Sequence, residues 1–209
     1  MAEILHLNGL AYDNLLRTVI ESGNREPRGH VFIKRRNGDY IVENAYPNIT
    51  ALRKPSLVEI GNVAAFYRLV GPYGIQSGLN NGCMVGGYHS HTSKDSTRKL
   101  SDGDMNAIRD EAAILKQPFW IELLIKMDRV KDSNYKNPGI KLKPRNKALD
   151  IMIHGLQGYN YSMILSAYLV SREDWGEKSD SNFRRNSRGL YEGDENVSEL
   201  KIQPPKGYL

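Results

Sequence analysis

The sequence predicts a mixed α/β fold of the α+β kind: a mixed β-sheet flanked by helices and followed by a polar C-terminal tail. Three observations carry that expectation. Three segments repeat apolar residues at helical spacing, several short runs are rich in Val, Ile, Leu, Phe and Tyr, and the chain beyond Arg172 loses both patterns. With 209 residues, 40% hydrophobic and 25% charged, the chain can bury one sizeable core.

The elements follow in order. Leu10 to Ser22 places Leu15, Leu16, Val19 and Ile20 on one helical side, and Gly23 ends it. His30 to Lys34 and Asp39 to Glu43 read as hairpin strands, because the Asn37-Gly38 pair between them accepts the positive φ of a tight turn. Leu57 to Val70 sets Leu57, Ile60, Ala64 and Leu69 among its apolar positions and stops at Gly71-Pro72, which predicts a second helix. A glycine-rich loop, Gly74 to Gly82, leads into a strand from Cys83 to His91. Ser101 to Lys116 is the best-defined helix. Ser101 can cap it, Asp102 and Asp104 favour its positive end, Met105, Ile108, Ala112 and Leu115 form an apolar stripe, and Pro118 ends it. Phe119 to Met127 reads as a buried strand, and Asp150 to His154 and Tyr161 to Ser171 as two more. Glu173 to Leu209 is rich in Ser, Asn, Gly and charge and reads as an extended tail, so the expected organisation is one domain over 1–171 with a polar extension over 172–209.

The formal charge of +5 and pI of about 9.2 raise the question of an acidic partner. Much of the charge is local: Lys126, Arg129, Lys131, Lys136, Lys141, Lys143, Arg145 and Lys147 lie in one stretch, and Arg184, Arg185 and Arg188 form a second group. Pro138, Gly139 and Pro144 mark the first stretch as a loop or irregular hairpin rather than a recognition helix, which favours steering of acidic partners over reading of a nucleic-acid sequence. A single cysteine, Cys83, excludes an intrachain disulfide framework and suits a reducing compartment. Neither a signal-peptide pattern nor an apolar run of roughly 18 to 20 residues is present, so the expectation is a cytoplasmic protein without a membrane partner.

The residues that carry chemistry gather between His89 and Asp104. His89 and His91 alternate on a predicted strand, so both project to one side and can reach one ion, while Ser90 points away. Three protein ligands with an open fourth position make a catalytic zinc set; a structural zinc is usually closed by four, often cysteines, and none is placed to close this one. Singly, each piece has a plainer reading. Ser101 with Asp104 is a helix cap, the histidines are strand residues, and Glu26 beside Pro27 is a turn residue. Together they favour a metal site.

Glu26-Pro27-Arg28-Gly29, then His89-Ser90-His91, then Ser101-Asp102-Gly103-Asp104, resemble in order the JAMM metalloproteases of the MPN (JAB) superfamily, in particular prokaryotic-type or phage-type members. That family carries Glu-x-x-Gly, His-Ser-His or His-Thr-His, and Ser-x-x-Asp at a helix start, and the resemblance covers roughly residues 5 to 171. It implies an MPN/cytidine-deaminase-like sheet with Phe119 to Met127 beside the metal-bearing strand. One Zn²⁺ per chain would be held by His89, His91 and Asp104. Glu26 would be the general base, and Ser101 would donate to the oxyanion of a tetrahedral intermediate. The implied reaction is hydrolysis of a peptide or isopeptide bond, and in that family the substrate is often ubiquitin or a ubiquitin-like protein. The interval between His91 and Ser101 is nine residues, about two more than the family's usual spacing, an insertion that a loop absorbs at small entropic cost. That departure leaves Asp102 at the usual distance from His91, whereas the intact Ser-x-x-Asp unit selects Asp104. Two other classes fit part of the pattern: a non-catalytic MPN-type scaffold, and a nucleic-acid-associated protein using the basic stretch. A protein substrate is preferred.

Overall fold

The computed structural model describes residues 3–23, 26–47, 51–54, 57–60, 83–92, 99–115, 117, 119–131, 139–156, 158–171 and 196–207. The chain runs β1 (Ile4–Leu7), α1 (Gly9–Ser22), β2 (Arg28–Arg36), β3 (Asp39–Pro47), β4 (Ala51–Lys54), β5 (Leu57–Ile60), β6 (Cys83–Thr92) and α2 (Asp102–Ile114). It continues through β7 (Phe119–Lys131), β8 (Gly139–Pro144), β9 (Ala148–Leu156), β10 (Tyr159–Ser171), β11 (Asn196–Glu199) and β12 (Lys201–Gln203). Ten strands make one mixed sheet in the order β12-β1-β3-β2-β6-β7-β10-β9-β8, with β11 on β10; β4 and β5 pair separately. Only Leu200 separates β11 from β12, so a single segment pairs with β10 at one end and with β1 at the other. That bridge bends the sheet into a nearly closed barrel.

Local chemistry explains most of these elements. The Asn8 side chain accepts from the Ala11 N–H at 2.8 Å and caps α1, which buries Ala11, Tyr12, Leu15, Leu16 and Val19 against the sheet. The β2–β3 turn has positive φ at both Asn37 and Gly38, the geometry that a two-residue hairpin demands. Strand β7 lies between parallel β6 and antiparallel β10 and is covered on both faces, which is why its residues 120–125 are all buried and, Glu122 apart, apolar. Ile121, Leu123 and Ile125 join the large core that also contains the buried residues of α1, whereas Trp120 and Leu124 face the other way. There they pack with Ile108 and Ala112 of α2 and with Tyr168 and Val170 of β10.

Three expectations are corrected. Leu57–Ile60 is not the start of a helix; it is β5, paired antiparallel with β4. Leu57 and Ile60 suit either period, and the Val58 and Ile60 side chains favour the extended one. Residues 61–70, the glycine-rich loop, most of the His91–Ser101 interval and Arg184, Arg185 and Arg188 lie outside the described residues. The basic stretch is largely strand: β7 continues to Lys131, and Lys141 and Lys143 sit on β8, whose Lys143 pairs with Asp150 of β9. Gly139 and Pro144 are the first and last residues of β8, which pairs antiparallel with β9. The C-terminal extension is not a mere tail either, because Leu200 and Ile202 are buried and the segment bridges the sheet. No helix among the described residues is long and apolar enough to cross a membrane.

Candidate metal centre

Because β6 and β7 are parallel neighbours, the chain must cross back between them, and α2 lies on that crossover. A helix so placed starts at the carboxyl end of the strand it follows, where ligand sites of parallel sheets gather. His89 and His91 occupy that end of β6, and Asp104 lies in the first turn of α2. His89 Nε2 is 3.2 Å from His91 Nε2 and 3.2 Å from Asp104 Oδ1, while Asp104 Oδ2 is 3.6 Å from His91 Nε2. Both histidines are buried. One ligand atom from each of the three residues lies within 4.8 Å of the other two.

Ser101 sets the carboxylate. Its N–H and its hydroxyl both donate to Asp104 Oδ2 at 2.7 Å, and the hydroxyl accepts from the Asp104 N–H at 3.2 Å, a reciprocal cap of the helix start. Two residues earlier on the helix is roughly 200° around its axis. Asp102 is accordingly exposed and lines a different depression with Lys99, Met105 and Arg109. The structure brings Asp104, not Asp102, to the histidines. Glu26 precedes β2, in which Arg28 pairs with His89, and the Pro27 carbonyl accepts from the Ser90 N–H at 3.1 Å. Extending that antiparallel register sets Glu26 opposite His91.

The site concentrates charge in a buried place. Burial opposes an imidazolium at His89, but hydrogen bonds and attraction from Asp104 and Glu122 outweigh it and raise its pKa from 6.5 to about 9. For Asp104, burial raises the carboxyl's pKa; the two histidines and Ser101 more than offset it and hold the carboxyl far below the usual range. These donors suit a divalent cation: two imidazole nitrogens face each other across a carboxylate, an arrangement that otherwise needs a shared proton. A pH dependence of opposite sign in the two forms follows. In the metal-free protein the raised His89 pKa contributes stability that is complete below 6.5 and is lost as pH climbs through about 9, so Tm falls across that window. A divalent cation held by His89 would have to displace that proton, so the expected apparent Kd tightens by about tenfold per pH unit up to about pH 9. Thermal melts and chelator competition from pH 6 to 10 check both; a metal-free Tm that rises over this range would refute the imidazolium assignment.

Several residues around the site carried no motif. Glu122 interrupts the apolar run of β7, is 1% exposed, and places Oε1 2.7 Å from His89 Nδ1 and Oε2 2.7 Å from Trp120 Nε1. Its signal was compositional: a buried charge requires partners. Arg28 and His30 of β2 hold Glu111 of α2 at 2.6 and 3.0 Å, and burial, which raises the Glu111 pKa, is outweighed by these two neighbours. Glu111 lies two helical turns from Asp104, so this buried contact fixes the rotation of the helix that presents Asp104.

No protein-family pattern matches the chain, and no characterised protein matches it in sequence. Among solved structures, the solution structure of protein DSY2949 from Desulfitobacterium hafniense, a structural-genomics target, is similar at 14% identity and a TM-score of 0.46, over 96% of this chain and 92% of that one. A likeness of that degree identifies no family.

Proposed function

We propose that the chain is a JAMM-type zinc metallopeptidase with an MPN/cytidine-deaminase-like sheet, hydrolysing a peptide or isopeptide bond in a protein substrate. The observation that carries this reading is the convergence of His89, His91 and Asp104 at the carboxyl end of β6, with Ser101 bound to Asp104. Zinc, when bound by these three residues, supplies Lewis acidity that acidifies water and polarises a carbonyl. Glu26, on the segment paired beside Ser90, takes the proton released by the attacking water and returns it to the leaving amine. The Ser101 hydroxyl has one proton, now given to Asp104, and serves the oxyanion once it turns from that carboxylate. Arg28, His30 and Glu111 keep α2 in place while this happens. A ubiquitin-like protein joined through lysine is the substrate class that the motif resemblance suggests.

Elemental analysis of the purified chain, paired with hydrolysis of linear and isopeptide-linked ubiquitin-like fusions, tests the proposal. One zinc per chain and cleavage of at least one fusion, abolished by chelation and restored by zinc, is the expected result. Zinc without cleavage of any fusion would favour an MPN-type scaffold. Salt-sensitive DNA binding by a chain that takes no zinc would favour the basic strands β7 and β8 as the functional surface.

A further inference from the structure

We infer that Glu122 is a positioning residue for the metal: through Nδ1 it fixes the tautomer and ring orientation of His89, so that Nε2 is left as the ligand atom. The inference rests on the metal reading above.

A neutral imidazole carries one N–H, and which nitrogen holds it depends on the partner of the other. His89 Nδ1 lies 2.7 Å from Glu122 Oε1, and a carboxylate only accepts, so the hydrogen belongs on Nδ1. In the metal-bound form, where His89 is neutral, the Nε2 lone pair then points to the place shared with His91 Nε2 and Asp104 Oδ1, each 3.2 Å away. The second carboxylate oxygen is held as well, by the Trp120 indole N–H at 2.7 Å. Both oxygens therefore act as acceptors, which is a job for a carboxylate and not for an amide, whose single oxygen could satisfy only one of the two donors.

The backbone makes room for this arrangement. Gly87 pairs with Glu122 across β6 and β7, and a Cβ at Gly87 would overlap the Glu122 carboxylate. A carboxylate 1% exposed in the middle of an apolar strand is costly unless fully hydrogen-bonded. A leucine would serve the sheet alone. A carboxylate that orients a histidine ligand is the arrangement that metal sites use to set ring direction and raise ligand basicity.

The test uses the full chain and two readouts other than turnover. In zinc-loaded protein, long-range ¹H–¹⁵N spectra of the His89 ring should show a protonated Nδ1 and a metal-bound Nε2; zinc on Nδ1 would overturn the inference without any substitution. Zinc affinity by chelator competition should weaken about 10- to 100-fold in Glu122→Gln. Gly87→Ala, which displaces the carboxylate but keeps it, should weaken zinc in the same direction. Trp120→Phe, which frees one oxygen and leaves the other on His89, should weaken it less. If wild-type protein binds zinc and Glu122→Gln binds it equally well, the positioning role fails and the metal reading stands. If wild-type protein takes up no zinc, both fail.

Discussion

Glu26→Gln should retain one zinc per chain yet lose about 10²- to 10⁴-fold in hydrolysis, the range by which a positioned general base accelerates proton transfer. The amide keeps the shape and polarity of the side chain and removes only its basicity. Zinc content should hold because the three converging ligand atoms come from His89, His91 and Asp104, with none from Glu26. The two buried glutamates near the site are occupied. Both oxygens of Glu122 are taken by His89 and Trp120, and both of Glu111 by Arg28 and His30. Glu43 sits on β3 within 3.6 Å of Lys34. Glu26, on the segment whose Pro27 carbonyl accepts from the Ser90 N–H, is the carboxylate the proposal assigns to proton transfer. Single-turnover cleavage of an isopeptide-linked fusion, with metal content measured on the same sample, decides the matter. Undiminished turnover by the mutant would remove Glu26 from the chemistry.

What could be read in advance divides along physical lines. Short-range patterns were legible: the Asn37-Gly38 turn, the alternation that puts His89 and His91 on one side, and the apolar stripe and cap of α2 all express contacts within a few residues. The apolar run of β7 likewise announced a strand covered on both faces. Four residues of β5 were too few to separate a helical from an extended period. The three residues of β12 were fewer still, and their strand character comes from pairing with β1 at the far end of the chain.

The supporting residues of the site were harder for the same reason. Glu122 reaches His89 across 33 residues, and Arg28 reaches Glu111 across 83, so neither pairing leaves a local trace. Only the oddity of a charge within Trp120-Ile121-Glu122-Leu123-Leu124 hinted at one of them. The choice between Asp102 and Asp104 was open on spacing from His91; in the structure Asp104 is the one beside the histidines, because the two side chains leave α2 on different sides.

That choice gives the other large effect. His89→Ala, His91→Ala and Asp104→Ala should each abolish stoichiometric zinc, whereas Asp102→Ala should keep it. A zinc set of three protein ligands reduced to two loses a donor that the tetrahedral site needs, which lowers affinity below stoichiometric uptake. The apo proteins should differ in a way that separates ligand loss from unfolding. His89→Ala leaves Glu122 as a buried carboxylate with only Trp120 as partner, so it should destabilise most. Asp104→Ala removes the reciprocal cap with Ser101, worth about 1 kcal/mol, and with it the contacts to His89 and His91 that favour the His89 imidazolium, while α2 stays anchored through Glu111 and the apolar contacts of Ile108 and Ala112. His91→Ala removes the Nε2 that lies 3.2 Å from His89 Nε2 and 3.6 Å from Asp104 Oδ2. Elemental analysis beside thermal melts in chelator distinguishes these cases, because a variant that folds as well as wild type without metal but takes up none has lost a ligand and nothing else. Should Asp104→Ala hold full zinc while Asp102→Ala loses it, the first turn of α2 would have to rotate by roughly 200° from the geometry described, and the assignment of Asp104 would be wrong.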